Sequence, residues 1–364
     1  MTTLTVDLGP RSYPIYIENG LLGSLGDLLV SLHVRGSVGL VTNHTIYQHY
    51  GEQVELAARS AGFKLTTEFI PDGENAKNQT TVSTLYDAFL EAGLDRSSTL
   101  ISLGGGVVGD ITGFVAATLF RGIRYLHIPT SLLAMVDASI GGKTGINHPG
   151  GKNLIGAFHQ PIAVIIDPAL TRTLPRREVN AALAEIIKAA VVADADFFHS
   201  LSTNIELLVH QSDTPFLEQV IVRSCEIKAR IIMDDEQEGD QRRILNYGHT
   251  IGHALEAACG YSTYIHGEAV AIGMVGASYL STQILGFPIS EHKQLVSLIS
   301  KLEIPSLPDL DVDVFYKVLQ HDKKIRNGVL HYVLLKTIGH PMITDQVAQS
   351  QLTAAINEIQ RRFE

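Results

Sequence analysis

The stretch "STLISLGGGVVGD", residues 98–110, ends an apolar β-branched run and opens a helical one across consecutive glycines. Gly104, Gly106 and Gly109 match GxGxxG, a spacing that lets backbone amides and a helix N-terminus approach a pyrophosphate. Taken alone, the pattern also fits a tight strand-to-helix turn. It departs from the dinucleotide fingerprint in two respects. The loop follows several strand–helix units instead of the first strand, and no acidic residue stands about 20 positions on, where the chain reads "YLHIPTS". Other loops must then hold a ribose. "PDGENAK" (71–77) supplies Asp72, Glu74 and Lys77, and "PTS" (129–131) supplies the hydroxyls of Thr130 and Ser131. Each is ordinary turn chemistry when considered singly.

Outward from this loop, short β-branched runs alternate with amphipathic ones. "SVGLVTN" (37–43), "KLTTEF" (64–69), "YLHIPTSLL" (125–133) and "AVIIDP" (163–168) read as strands, and "IYQHYGEQVELAARSAG" (46–62) and "TVSTLYDAFLEAG" (81–93) as helices. Such alternation predicts an open α/β sheet, mostly parallel, that takes ligands at the carboxyl ends of its strands. Beyond residue 170 the period becomes helical in "PRREVNAALAEIIKAAVVADADFFHSL" (175–201), "FLEQVIVRSCEIKARIIMDDE" (216–236) and "GEAVAIGMVGASYLSTQILG" (267–286). We therefore expect an N-terminal α/β domain over residues 1–170, an all-helical C-terminal domain over residues 171–364, and an active site in the interdomain cleft.

Composition narrows the class of function. With 45% hydrophobic and 18% charged residues, the 364-residue chain has ample material for a core. A net charge of −10 argues against nucleic acid and membrane surfaces as partners, both being polyanions. No stretch has the roughly 20 apolar residues of a membrane span, and the N-terminus does not read as a signal peptide. Two cysteines, Cys225 and Cys259, make no disulfide framework and suit a reducing cytoplasm.

"RRILNYGHTIGHALE" (242–256) places His249 and His253 one helical turn apart. A zinc protease of the HExxH type needs a glutamate after the first histidine, and Thr250 stands there. A catalytic zinc site takes three protein ligands and leaves one position open. "YIHGEAV" adds His266 and Glu268, and Glu185 lies in an otherwise apolar helix, where a carboxylate needs a cation or an ion pair with Lys188. Spacing favours His249, His253 and one of His266 or Glu185 without choosing between the last two. Residues 135–161, "MVDASIGGKTGINHPGGKNLIGAFHQP", show almost no period and read as a long functional loop. Its lysines suit an anionic substrate.

Taken together, "PDGENAK", "GGGVVGD", "IPTSLLAMVDASIGGKTGIN", "GKNLIGAFHQP", "AEIIKAAVV", "LNYGHTIGHALE", "HGEAVAIGM" and "HDKK" resemble the 3-dehydroquinate synthase family, a branch of the sugar phosphate cyclases, in that family's order. The resemblance implies NAD, a Zn2+ or Co2+ ion, and a cytoplasmic homodimer of the shikimate pathway. It shifts the metal ligands to Glu185, His249 and His266, and makes His253 a substrate-pocket residue. Nucleotide contacts fall on Asp72, Gly73, Glu74, Asn75, Ala76 and Lys77, on Gly106, Val107, Val108, Gly109 and Asp110, and on Thr130 and Ser131. Lys143, Lys152 and the turn of Leu170, Thr171, Arg172 and Thr173 complete that set. Substrate contacts fall on Asp137, Lys143, Lys152, Asn153, Lys188, Lys228, Arg242, Asn246, His253, and on Lys323 or Lys324 or both, with Arg121 lent across the dimer interface. Where relatives often carry an aspartate after an inner strand, this chain has Asn43. The implied reaction turns 3-deoxy-D-arabino-heptulosonate 7-phosphate, a small anionic sugar-acid phosphate, into 3-dehydroquinate and phosphate. It proceeds by transient oxidation, phosphate elimination, reduction, ring opening and aldol closure. The alternatives are a cyclase for another sugar phosphate and a metal-dependent polyol dehydrogenase.

Overall fold

The computed structural model describes residues 1–210, 214–239, 241–260, 263–308, 310, 315–316, 318–319, 325–326 and 329–364. Lys323 and Lys324 lie outside the described residues. The chain forms two compact units, one of Met1–Leu174 with Leu217–Met233, the other of Pro175–Phe216 with Asp234–Glu364.

The first unit is built on a seven-stranded sheet. Its strands are β1 (Thr2–Val6), β2 (Tyr13–Ile17), β3 (Val38–Thr42), β4 (Leu65–Phe69), β5 (Thr99–Gly104), β6 (Arg124–Pro129) and, after a two-stranded hairpin of β7 (Lys143–His148) and β8 (Gly151–Phe158), β9 (Val164–Ile166). The order is β1-β2-β9-β6-β5-β3-β4. Only β1 runs antiparallel to its neighbour; β2 with β9, β9 with β6, β6 with β5, β5 with β3 and β3 with β4 are parallel. Every residue of β3 and β5 is buried, as the unbroken apolar runs require of strands covered on both faces. The chain leaves β3 for β4 on one side and then crosses to β5 on the other. The carboxyl ends of β3 and β5, bearing Asn43 and the glycine loop, therefore sit at the reversal of strand order, the place where such sheets bind ligands.

The N-terminal segment adds the antiparallel β1–β2 pair at one edge of the sheet. The structure departs from expectation in two places. The supposed loop over 135–161 contains the β7–β8 hairpin, whose glycines serve close pairing: a Cβ on Gly145 would lie 2.5 Å from the Ile155 carbonyl oxygen. The second unit is dominated by helices at Arg176–Ala193, Ala195–Val209, His249–Ala258, His266–Ile284, Ile289–Ile299 and Gln349–Phe363. It also holds an antiparallel pair, Tyr332–Thr337 with His340–Thr344.

Candidate functional site

In the first unit, the helix Gly106–Thr118 starts without a side-chain cap, because Gly105 at its N-cap has no side chain to offer. Its leading amides have no intrahelical acceptor and present the positive end of the helix dipole. The glycines also permit close packing at the helix start, since a Cβ on Gly106 would stand only 3.2 Å from that of Ala138. Beside them Thr130, whose N–H donates to the Gly104 carbonyl at 3.0 Å, has a buried Oγ1 with no hydrogen-bond partner among the described residues. A buried hydroxyl left unsatisfied is costly and fits a missing polar partner. An uncapped helix end and an orphaned hydroxyl at the reversal of strand order fit a dinucleotide.

"PDGENAK" packs against this loop through Lys77, a buried ammonium. Its Nζ donates to Asp110 Oδ2 at 2.6 Å and Asn153 Oδ1 at 2.5 Å, with Glu74 Oε1 at 3.7 Å. Burial pushes the Asp110 carboxyl up to about 6, against the opposing pull of Lys77. Asn147 ties the hairpin into the set, donating from Nδ2 to Glu74 at 2.8 Å and accepting from the Asn153 N–H at 2.8 Å. Asn153 itself is held at φ +55°. Gly73 has φ +87°, the Ala76 N–H donates to its carbonyl, and Asn75 lies in the same turn. Asp72 accepts from Thr45 Oγ1 at 2.8 Å. Asn43 spends its Oδ1 on the Ile46 N–H at 2.8 Å, capping the next helix. Ser131 accepts from the Ala134 N–H at 3.3 Å. The turn Pro168–Thr173 is fastened by Tyr50, whose hydroxyl reaches the Leu170 carbonyl at 2.9 Å and Thr173 Oγ1 at 2.7 Å; Thr171 is buried and Arg172 exposed. Lys143 at the start of β7 and Lys152 on β8 are exposed. Lys228 donates to the Asp137 carbonyl at 2.6 Å and to its carboxylate. Arg121 is exposed on the turn that follows the Gly106–Thr118 helix.

In the second unit, three helices bring together Glu185, His249 and His266. Glycines permit the approach: a Cβ on Gly267 would lie 1.9 Å from the Ala181 carbonyl oxygen, and one on Gly273 2.1 Å from that of Gly248. Glu185 is buried, and its Oε2 accepts from Lys188. Its Oε1 is buried without a hydrogen-bond partner among the described residues. The Nε2 atoms of His249 and His266 stand 3.6 and 3.5 Å from that same oxygen. Two imidazole nitrogens converging on an orphaned carboxylate oxygen form a donor set for a divalent cation that prefers nitrogen and oxygen. The notion of a simple Glu185–Lys188 ion pair accounts for Oε2 and leaves Oε1 unexplained. His253 is close by: one nitrogen from each of His249, His253 and His266 lie within 4.8 Å of one another. Although burial pulls its pKa down, His266 is held above its ordinary value by the carboxylates of Glu256 and Glu185. Arg242 is buried and donates to the Glu236 carbonyl at 2.7 Å, while Asn246 donates to Glu238 at 3.3 Å.

Two carboxylates support the set: Glu268, which the sequence offered as a candidate ligand, and Glu256, which the sequence reading missed. Glu268 accepts from Arg177 Nε at 2.6 Å and from a terminal guanidinium nitrogen at 2.8 Å, joining the helix of His266 to that of Glu185. Glu256 faces the outer nitrogen of His266. A buried acid on the histidine stripe of its helix was the one visible signal.

An uncapped glycine turn on a parallel sheet and a set of oxygen and nitrogen donors suited to a cation on a helical scaffold fit a nucleotide- and metal-dependent α/β enzyme. Residues 67–181 match the 3-dehydroquinate synthase N-terminal family and residues 182–325 its C-terminal counterpart. A 3-dehydroquinate synthase of Picosynechococcus sp. is 46% identical over 96% of this chain and 97% of its own length. One from Geotalea uraniireducens is 46% identical over 97% and 98%. A solved 2-epi-5-epi-valiolone synthase of Streptomyces hygroscopicus subsp. jinggangensis, with NAD+ and Zn2+ bound, superposes with a TM-score of 0.88 at 30% identity, covering 98% of this chain and 99% of its own. The chain belongs to the 3-dehydroquinate synthase family.

Proposed function

We propose that this chain converts 3-deoxy-D-arabino-heptulosonate 7-phosphate into 3-dehydroquinate and phosphate, using NAD and Zn2+ or Co2+, as a cytoplasmic homodimer. The observation that carries the reading is the orphaned Glu185 Oε1 facing two imidazole nitrogens, in a chain of this family. When bound, the nucleotide supplies a hydride acceptor that later becomes the donor, and the cation supplies Lewis acidity toward the substrate's hydroxyl and ketone oxygens.

The protein's share is positioning and charge. Glu185, His249 and His266 hold the cation, and Lys188 fixes Glu185 by its other oxygen. The helix start at Gly106, with Val107, Val108, Gly109 and Asp110, receives the nucleotide together with Thr130, Ser131, the 72–77 loop and the 170–173 turn. A substrate bearing a carboxylate and a phosphate carries about three negative charges near neutral pH. Arg242 and Lys228 meet the carboxylate, with Arg242 able to grip it bidentately. Lys143, Lys152, Asn153, Asn246, His253, Lys323 or Lys324, and Arg121 of a second copy meet the phosphate, while Asp137 holds Lys228 in place. The carbon acid beside the transient ketone gives its proton to the substrate's own phosphate, and the C–O bond then breaks to release that phosphate. No strong protein base is required.

The test incubates the full chain with this heptulosonate phosphate, NAD and zinc, following phosphate release and absorbance at 340 nm together. Phosphate released without accumulating NADH is the expected result. NADH accumulating without phosphate release overturns the reading in favour of a dehydrogenase.

A further inference from the structure

His249 and His266 each present Nε2 to Glu185, so the opposite nitrogen, Nδ1, decides which tautomer the ring adopts. For His249 that nitrogen meets the backbone carbonyl of Tyr247 at 3.2 Å. For His266 it meets a side chain: Glu256 Oε2 stands 3.6 Å from Nδ1. Glu256 lies seven residues beyond His249, two turns along the same helix and on the same stripe, with its side chain only 8% exposed. An acid at such a position is expensive unless it serves a partner.

Resting on the cation-site reading above, we propose that Glu256 is a positioning residue that makes His266 a competent metal ligand. Its carboxylate accepts the Nδ1 proton, which keeps the Nε2 lone pair toward the cation, and fixes the plane of the ring. It also adds negative charge behind the imidazole, strengthening Nε2 as a donor. The two histidines are thus supported unequally: His249 leans on main chain that mutation cannot remove, whereas the support of His266 is a replaceable side chain.

The experiment measures zinc affinity of the full-length chain by competition with a chromophoric chelator, in wild type, Glu256→Ala, Glu256→Gln and His266→Ala. Apo-protein circular dichroism and Tm are recorded alongside. Removal of an outer-shell partner costs metal affinity by about 10–100-fold. That loss is expected for Glu256→Ala, with a smaller one for Glu256→Gln, whose neutral carbonyl still accepts the proton but lacks the charge. Substituting Co2+ for zinc, the visible absorption band of Glu256→Gln should shift as the ligand field weakens. Should Glu256→Ala fail to fold, Glu256→Gln carries the test. Zinc affinity within about twofold of wild type in the folded Glu256 variants, with Tm alone reduced, overturns the proposal and leaves Glu256 a packing residue. His266→Ala separates the two levels. If it also keeps zinc, the cation site itself has been misassigned; if it loses zinc while the Glu256 variants keep it, only the positioning role fails.

Discussion

Glu185 divides its two oxygens between two tasks, and that division predicts which histidine is expendable. Oε2 is held by Lys188, while Oε1 faces His249 and His266. In zinc analysis after dialysis, His253→Ala should keep about one ion per chain, as three protein donors require, and His266→Ala should lose it. The reverse result would make the three imidazoles the ligand set. His127 on β6 gives a second prediction, about pH. It is fully buried, with Nδ1 2.7 Å from Ser102 Oγ, and burial pulls its pKa down to about 3. A depressed pKa means the unfolded chain takes a proton below about 6.5 while the folded chain refuses it until about 3. The stabilisation from a neutral His127 is therefore complete above pH 6.5 and is lost as pH falls through that window, by roughly 5 kcal/mol at most. Denaturant titrations from pH 7 to 4 should show wild type losing stability faster than His127→Gln. Parallel curves would mean that this ring does not carry the acid sensitivity.

At the scale of elements, the proposed metal site depends on helices packed at backbone contact. Gly267→Ala should place a methyl against the Ala181 carbonyl and push the helix of His266 from that of Glu185. The expected cost is on the order of 3 kcal/mol, with weakened zinc binding, read by Tm and by chelator competition. Gly23→Ala, which meets nothing within 4 Å and has no left-handed backbone, is the control and should stay within about 0.5 kcal/mol. A Gly267→Ala protein as stable as this control would contradict the packing account. Here lies the boundary of what the sequence reveals. Unbroken apolar runs announce β3 and β5 as covered parallel strands, and glycines between strand and helix announce the turn at 104–106. The β7–β8 hairpin escapes because its glycines erase the alternation that marks a strand, and pair the two backbones instead. Spacing within one helix favours His249 and His253, whereas the oxygen both rings of the proposed set face comes from a helix more than 60 residues earlier. That is a tertiary juxtaposition no local period encodes, and motif resemblance supplied it instead. Glu256 escaped for the same reason, since its partner sits on the following helix.

At the scale of the whole molecule, an acidic chain of net charge −10 must gather cations around an anionic substrate, and one of them is proposed to come from a second copy. The turn carrying Arg121 is built unlike its surroundings. Phe120, Arg121 and Gly122 have φ of +53°, +70° and +116°, in and just after the short 3₁₀ turn Leu119–Arg121 that follows the glycine-loop helix. Two consecutive non-glycine residues in the left-handed region cost of order 1–3 kcal/mol each, and such strain collects at functional positions. The turn holds the guanidinium out to solvent instead of against its own unit. If Arg121 completes the site of a partner, complementation follows from symmetry. Arg121→Ala alone should be nearly inactive although its own cation ligands are intact, and Glu185→Gln alone should be inactive through the metal site. Unfolding and refolding the two together yields mixed dimers in which one site has both its own Glu185 and the neighbour's Arg121. With half the dimers mixed and one of two sites restored in each, activity should recover to about a quarter of wild type. Recovery that scales with the mixing ratio and vanishes when the variants are mixed as native dimers identifies exchange of subunits as its cause. No recovery after verified mixing would place Arg121 in service of its own chain.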